Sequence, residues 1–200
     1  CEKLGVDIKY NQEATAENVK GGNFDRVILA AGASPAVPPI PGIENAIIAS
    51  DYLTHKAEAG KKVVVIGGGL AGTEAACDIA PKADEVTIVE MLPDILVTSA
   101  HCLNNDQHLR DMVKARGVNV VGGAKVTNIA ADAVTYEKDG ETFTVPCDTV
   151  INAAGFKANN QLEDVLEDIY DDVIVIGDAI APRKILNAVH EGYHAIRVME

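Results

Sequence analysis

No tryptophan occurs among the 200 residues, aromatic side chains make up only 4% of them, and no low-complexity tract interrupts the chain. What remains is 48% hydrophobic, the composition of an ordinary soluble α/β protein long enough to bury one large or two small cores. No apolar run approaches the length of a membrane span and no leader peptide opens the sequence, so a cytoplasmic protein is expected. Cations are scarce. Seventeen Lys and Arg face 30 Asp and Glu, a net charge of -13, which argues against nucleic acid or an anionic membrane as the main partner. Cys1, Cys77, Cys102 and Cys147 form no C-x-x-C pair, so reduced thiols are expected rather than a redox disulfide, a zinc site or an iron-sulfur site. His101 and His108 stand seven apart without a third ligand, and no metal site is expected.

What is present is concentrated in one stretch. The run Val63-Val64-Val65-Ile66 has the β-branched content of a strand covered on both faces. Gly67, Gly69 and Gly72 follow as G-x-G-x-x-G. In that pattern the first glycine allows a tight turn and the second removes a Cβ that would strike a pyrophosphate. The third lets a helix pack closely on the strand. A helix from about Leu70 to Ala80 would aim the N–H groups of its first turn, Leu70 and Ala71 among them, at that pyrophosphate. A second strand, Val86 to Val89, leads to Glu90, 18 residues after Gly72. A carboxylate there accepts hydrogen bonds from both ribose hydroxyls of an adenosine and repels a 2'-phosphate. Met91-Leu92-Pro93 supplies no Arg to offset that repulsion. The pattern predicts NAD(H) rather than NADP(H).

The rest of the chain reads as supporting structure. Cys1 to Gly5 resembles the last turn of a helix with a glycine cap, followed by a short strand over Val6–Tyr10. Thr15 caps a short helix that Gly21-Gly22 stops. Phe24 to Gly32 reads as a buried strand ending in Ala30-Ala31-Gly32. Four of the eight prolines fall between residues 35 and 41, which predicts an extended surface linker. A short helix is expected within 51–60, and another over roughly 101–116, burying Leu103, Leu109, Met112 and Val113 and closed by Gly117. From Lys125 the apolar period falls to two, and Asp139-Gly140 marks a hairpin, which predicts an antiparallel meander before the strand Thr149–Gly155. That strand repeats the earlier Ala-Ala-Gly ending, which suggests two similar nucleotide folds. Glu163, Asp164, Glu167, Asp168, Asp171 and Asp172 read as a solvated helix face. Val173 to Asp178 is another buried strand, and a final amphipathic helix from about Pro182 to Met199 turns Ile185, Val189, Tyr193 and Ile196 to one side. His190 and Glu191 on that helix are expected to be solvated surface rather than an acid and a base.

Taken together, Ala30-Ala31-Gly32-Ala33-Ser34-Pro35, Ile40-Pro41-Gly42, the Gly67–Glu74 turn, Ala153-Ala154-Gly155 and Ile176-Gly177-Asp178 resemble the two-dinucleotide-binding-domain flavoproteins of the pyridine nucleotide-disulfide oxidoreductase superfamily. In these an NAD domain is inserted into an FAD domain. The closing stretch Ile176–Ile185 with Ala188-Val189-His190-Glu191-Gly192 is similar to a narrower group, the NADH:flavin oxidoreductases related to 2,4-dienoyl-CoA reductase, enoate reductase and trimethylamine dehydrogenase. The resemblance implies that Gly67, Gly69, Leu70, Ala71, Gly72 and Glu90 hold NAD, with Glu74 and Gly155 on its nicotinamide side. It places Ala31 and Gly32 against the flavin nucleotide and Gly177 and Asp178 at the ribityl chain of FAD.

The implied fold is α/β: a Rossmann-like parallel sheet with an antiparallel meander at 59–156, inserted into a truncated FAD-binding domain made of 1–58 and 157–200. The family's first glycine-rich turn, which holds the FAD pyrophosphate, is not found in the sequence. Weak FAD binding is therefore expected. The FMN barrel and cluster cysteines of the narrower group are also missing, so the chain reads as the C-terminal part of a larger enzyme, with FMN and an iron-sulfur cluster upstream. The implied function is electron input, a hydride passing from NADH to FAD, with no acid, base or nucleophile supplied by the protein. A non-catalytic NAD(H)-binding regulatory module is the alternative. A methyl-donor nucleotide site fits the Gly-Asp ending and the duplicated Ala-Ala-Gly strands poorly, and a disulfide reductase is disfavoured by the missing C-x-x-C, leaving open one whose disulfide lies upstream of residue 1. An exposed sheet edge could pair two copies into a dimer.

Overall fold

The computed structural model describes residues 1–97 and 103–197, and it divides into two compact units, Cys1–Ser34 with Lys157–Glu200, and Pro35–Phe156. The first unit opens with a 3-10 turn, Glu2–Leu4, closed by Gly5 at φ 80°. Residues 6–10 form no strand, and Val6, Ile8 and Tyr10 are exposed. Among the described residues no strand lies beside their apolar alternation, and without one the backbone has no ladder to join. Helix α1, Ala16–Lys20, is capped as expected: the Thr15 side chain accepts from Asn18 N–H and the Asn18 side chain accepts from Thr15 N–H. The strand expected over 24–32 shortens to β1, Val27–Leu29, with only Leu29 buried. Strand β2, Ala33–Pro35, leads into the second unit.

In that unit, β3 (Ile47–Ile48) runs directly into α2 (Ala49–Leu53), which ends before the expected 51–60 helix could extend. Next come β4 (Lys62–Ile66), α3 (Leu70–Ile79), β5 (Glu85–Val89), α4 (Leu103–Ala115) and β6 (Asn119–Val121). The meander β7 (Lys125–Ile129), β8 (Ala133–Lys138), β9 (Glu141–Pro146) precedes β10 (Thr149–Asn152). Strands β3-β10-β4-β5-β6 make one parallel sheet in that order. Ile47-Ile48 pairs with β10, so this stretch is part of the compact unit Pro35–Phe156.

Period-two geometry splits β4 between two cores. Val63 and Val65 join Ala75, Ala76, Ile79 and Ile88 beneath the helices; Val64 and Ile66 join Val126, Ile129 and Val134 under the meander. Each fully buried Val or Ile contributes about 1.5–3 kcal/mol. Covered on both faces, the strand must be apolar throughout, which is why it was legible. In the meander, Asp139 (φ 53°) and Gly140 (φ 82°) both take the positive φ of a type I' turn. Tyr136 and Phe143, paired across β8 and β9, stack at 5.4 Å. Leu109 and Val113 of α4 are buried, Met112 partly so, and Gly117 ends the helix at φ 67°. The expected start of this helix, with His101 and Cys102, lies outside the described residues.

The chain returns to the first unit through β11 (Phe156–Ala158), then α5 (Glu163–Glu167), β12 (Val173–Val175) and α6 (Ile185–Arg197). Only part of the acidic run forms the expected helix: Glu163, Asp164 and Glu167 lie on α5 with Leu166 as its buried anchor, Asp168 caps it, and Asp171 and Asp172 lie beyond, Asp172 pairing with Arg26. Strands β12 and β1 pair in parallel and, among the described residues, only with each other, so β12 is half-buried rather than buried. Helix α6 departs most from expectation. It begins at Ile185, three residues beyond Pro182, and its apolar face looks outward: Ile185 is 85% exposed and Val189, Tyr193 and Ile196 about 60%. The covered side carries Ala188, Glu191, Gly192 and Ala195 instead. Small residues allow close packing there, with Ala188 beside Gly177 and Gly192 beside Ile176. The expected continuation of this helix to Met199 lies outside the described residues.

Candidate functional site

The glycine turn follows β4, the strand at which the chain order of the sheet reverses, with β10 on one side and β5 on the other. In open α/β sheets the crevice beyond the carboxyl ends at such a point is where ligands bind. Each glycine of the motif has its own geometry. Gly67 has φ 101°, and a Cβ on it would lie 2.4 Å from the Ala153 carbonyl oxygen. A Cβ on Gly72 would lie 2.0 Å from the Gly67 carbonyl oxygen and 3.0 Å from Ala153 Cβ. A Cβ on Gly69 would meet nothing within 4 Å, so its smallness leaves open space in front of α3. Gly69 is also the N-cap of α3 and provides no side-chain cap, which leaves the donors of the first turn to whatever occupies that space.

Glu90 closes the turn from the other strand. Its Oε2 accepts from Gly68 N–H at 2.5 Å and its Oε1 accepts from Leu92 N–H at 2.7 Å. Each carboxylate oxygen keeps a second lone pair for a further donor. Beyond Glu90 opens a cavity of about 600 Å³, walled by Gly67, Gly69, Glu90–Leu92, residues 124–127, 153–155 and 38–40. The walls are mostly apolar, with one acid, Glu90, and one cation, Lys125. Glu74 is exposed on α3 and is not among the lining residues, whereas Gly155 is. Leu70 and Ala71 sit partly open at the helix start. The chemistry fits a dinucleotide: an open helix N-terminus for a pyrophosphate and an oriented carboxylate for a ribose.

The remaining predicted residues lie in the first unit. Ala31-Gly32 and Gly177-Asp178 both follow the carboxyl ends of the paired strands β1 and β12, where Leu29 stands opposite Val175. Asn159 holds the first pair, its Nδ2 donating to Ala31 O at 3.2 Å and its N–H to Gly32 O at 3.0 Å. Gly32 and Gly177 have positive φ, and a Cβ on Gly32 would meet nothing within 4 Å. Asp178 Oδ1 accepts from Arg183 N–H at 3.0 Å. Glu191, expected to be solvated, instead accepts from Gly177 N–H at 2.7 Å and pairs with Arg183 at 2.6 Å. Open space beyond glycine and a strand-end carboxylate fit the ribityl side of a flavin nucleotide.

Other polar groups are structural. Cys77 and Cys147 are buried, and burial pushes both thiols up, so neither is a nucleophile. Asp148 receives the N–H groups of Lys61 and Lys62 and so anchors the start of β4. Tyr52, Asp78 and Lys82 form a hydrogen-bonded trio between α2 and α3. Among the described residues no cluster of His, Cys, Asp or Glu could hold a metal, and no helix is long and apolar enough to cross a membrane.

The sequence did not reveal the residues 38–40 wall, read there as surface linker, or Asn152. This asparagine is 5% exposed in a buried strand, and its polarity in an otherwise apolar run was the available signal.

The pyridine nucleotide-disulphide oxidoreductase family model matches residues 1–192, and the chain belongs to that family, whose cofactors are a pyridine nucleotide and FAD. It is 32% identical over 195 residues to a cinnamate reductase of Clostridium sporogenes, covering 97% of this chain and 29% of the relative. It is 37% identical over 199 residues to an NADH oxidase of Thermoanaerobacter brockii, covering 96% and 30%. Among solved structures, a 2-naphthoyl-CoA reductase in complex with 2-naphthoyl-CoA superposes with TM-score 0.80 at 31% identity, over 96% of this chain and 29% of that one. The chain spans about a third of the length of these relatives.

Proposed function

We propose that this chain is the electron-input module of a longer NADH:flavin oxidoreductase. The observation that carries the reading is the oriented Glu90 carboxylate beside an uncapped helix N-terminus, at the mouth of an apolar cavity. In this reading the first-turn N–H groups of α3 bind the pyrophosphate, and the free lone pairs of Glu90 accept both adenosine ribose hydroxyls. A 2'-phosphate would meet that carboxylate, which selects NADH over NADPH. The apolar walls exclude water around the nicotinamide half, and residues 153–155 limit its position. In the first unit, Ala31, Gly32, Gly177 and Asp178 would orient FAD from its ribityl side. When bound, the two cofactors supply the redox chemistry, transfer of a hydride from reduced nicotinamide to flavin. The protein binds, orients and keeps water out; none of its own residues exchanges a proton or forms a bond.

Calorimetric titration of the 200-residue chain with NADH, NADPH and FAD tests this. Tight NADH binding, at least tenfold weaker NADPH binding and weak FAD binding are expected. If NADH does not bind, the reading fails. Anaerobic NADH added with excess FAD should bleach the flavin absorbance; binding without bleaching would leave a regulatory NADH module in its place.

A further inference from the structure

Two walls of the cavity, residues 38–40 and 153–155, come from segments more than a hundred residues apart in sequence, and one buried side chain ties them together. The Asn152 Nδ2 donates to the Ala36 carbonyl oxygen at 2.9 Å, and its Oδ1 accepts from Ala154 N–H at 3.1 Å. The Ala36 N–H in turn donates to the Gly155 carbonyl oxygen at 2.9 Å. A carbonyl can only accept and a peptide N–H can only donate, so the amide has one orientation that satisfies both. The segment is paired before the clasp, where β2 joins β11, and again after it, where the Pro41 carbonyl oxygen accepts from Ile129 N–H at 2.9 Å; between these points Pro38 and Pro39 have no N–H to join a ladder, so the bonds at Ala36 are the ones next to this stretch. Pro38 and Pro39 follow within three residues of the clasp and are stiff enough to carry its position to the cavity wall.

We infer that Asn152 is a positioning residue that sets the separation of the residues 38–40 and 153–155 walls, and so determines how the cavity accepts the nicotinamide half of the dinucleotide. This rests on the NADH reading given above. The Asn152 side chain bonds to Ala36 and Ala154 and makes no hydrogen bond to Glu90–Leu92 or the glycine turn, which build the adenosine end. Ala153, which packs on Gly67 and Gly72, is held by its own N–H to Ile66 O at 2.8 Å, so removal of the Asn152 amide should act mainly on the nicotinamide half.

The test compares NADH with ADP-ribose, which carries the same adenosine and pyrophosphate but no nicotinamide. Asn152→Asp keeps the acceptor for Ala154 N–H and sets an anionic oxygen against the Ala36 carbonyl; Asn152→Leu removes both bonds while keeping the side chain's branched shape and number of heavy atoms. In each variant NADH affinity should fall about tenfold, the loss expected of a buried polar pair left unsatisfied, while ADP-ribose affinity stays within about twofold. Amide hydrogen exchange without nucleotide gives a second measurement: Ala36 N–H should exchange faster in both variants while amides of α3 do not change. Equal loss of both ligands means a merely structural role and overturns the inference, as does NADH affinity within twofold of the parent. If the parent binds neither ligand, the NADH reading itself has failed, and the inference falls with it; binding of ADP-ribose without NADH would also overturn it.

Discussion

The Gly68 N–H and the Glu90 carboxylate, 22 positions apart, meet at 2.5 Å, and this bond joins the turn after β4 to the end of β5. It means that the acid is held in one direction by backbone N–H groups of the chain itself, as the proposed ribose contact requires. Glu90 is held on the turn by Gly68 and on its own strand by Leu92, so little side-chain freedom remains to be lost on binding.

Glu90→Gln should therefore weaken NADH binding by roughly tenfold, because a charge-assisted acceptor becomes a neutral one that must also present its amide the right way round. NADPH affinity should rise in the same variant as the repulsion of its 2'-phosphate disappears. Calorimetry with both nucleotides checks this; an unchanged NADH to NADPH ratio would remove Glu90 from the ribose site.

The glycines of the turn should separate into two classes. Gly69→Ala adds a Cβ into open space at φ -69°, so stability should change by less than about 1 kcal/mol. NADH binding should nevertheless be lost, because that space is where the pyrophosphate would lie. Gly72→Ala puts its Cβ 2.0 Å from a backbone oxygen and should lower unfolding free energy by about 1–3 kcal/mol. Urea unfolding beside NADH titration distinguishes the two behaviours.

The trio between α2 and α3 predicts a pH dependence at both ends. Hydrogen bonds from Lys82 and then Tyr52 hold the Asp78 carboxyl below the usual carboxylate range. Its contribution is present above an ordinary Asp value of about 4 and is lost as pH falls through the lower folded value. Burial first, and then Asp78, push the Tyr52 hydroxyl up. That contribution is present below an ordinary Tyr value of about 10 and is lost as pH rises through the higher folded one. Asp78 is 49% exposed, so Asp78→Asn should cost under about 1 kcal/mol at pH 7. The difference from the parent should vanish toward the acid end of a series of thermal melts; a constant difference would contradict the linkage.

Thiol chemistry should follow burial. In a protein carrying Cys102→Ser, Cys1 is exposed whereas Cys77 and Cys147 are 2% and 5% exposed. A chromogenic disulfide reagent should label one thiol at once and the other two only after unfolding. Rapid labelling of all three in the native protein would show that the cores around α3 and β9–β10 open far more readily than their packing indicates.

Local order was legible in the chain wherever close neighbours decide it. Val63–Glu90 yielded strand, turn, helix, strand and acid because each signal is set within a few residues: β-branching, three glycines at fixed offsets, a carboxylate at the strand end. Thr15 with Asn18, and Asp139 with Gly140, were readable for the same reason. Tertiary structure decided what depends on a distant partner. Val6–Tyr10 has strand-forming residues but, among the described residues, no strand beside it, and α6 has an amphipathic pattern whose apolar side is left facing water while Ala188, Gly192 and Ala195 pack. The prolines fixed an extended backbone at 35–41 but not its place: in the folded chain residues 38–40 line a cavity, and Ala36 is bonded to the Asn152 amide, 116 positions away. Periodicity records which face a segment can bury, and only the folded chain determines whether another surface is there to cover it.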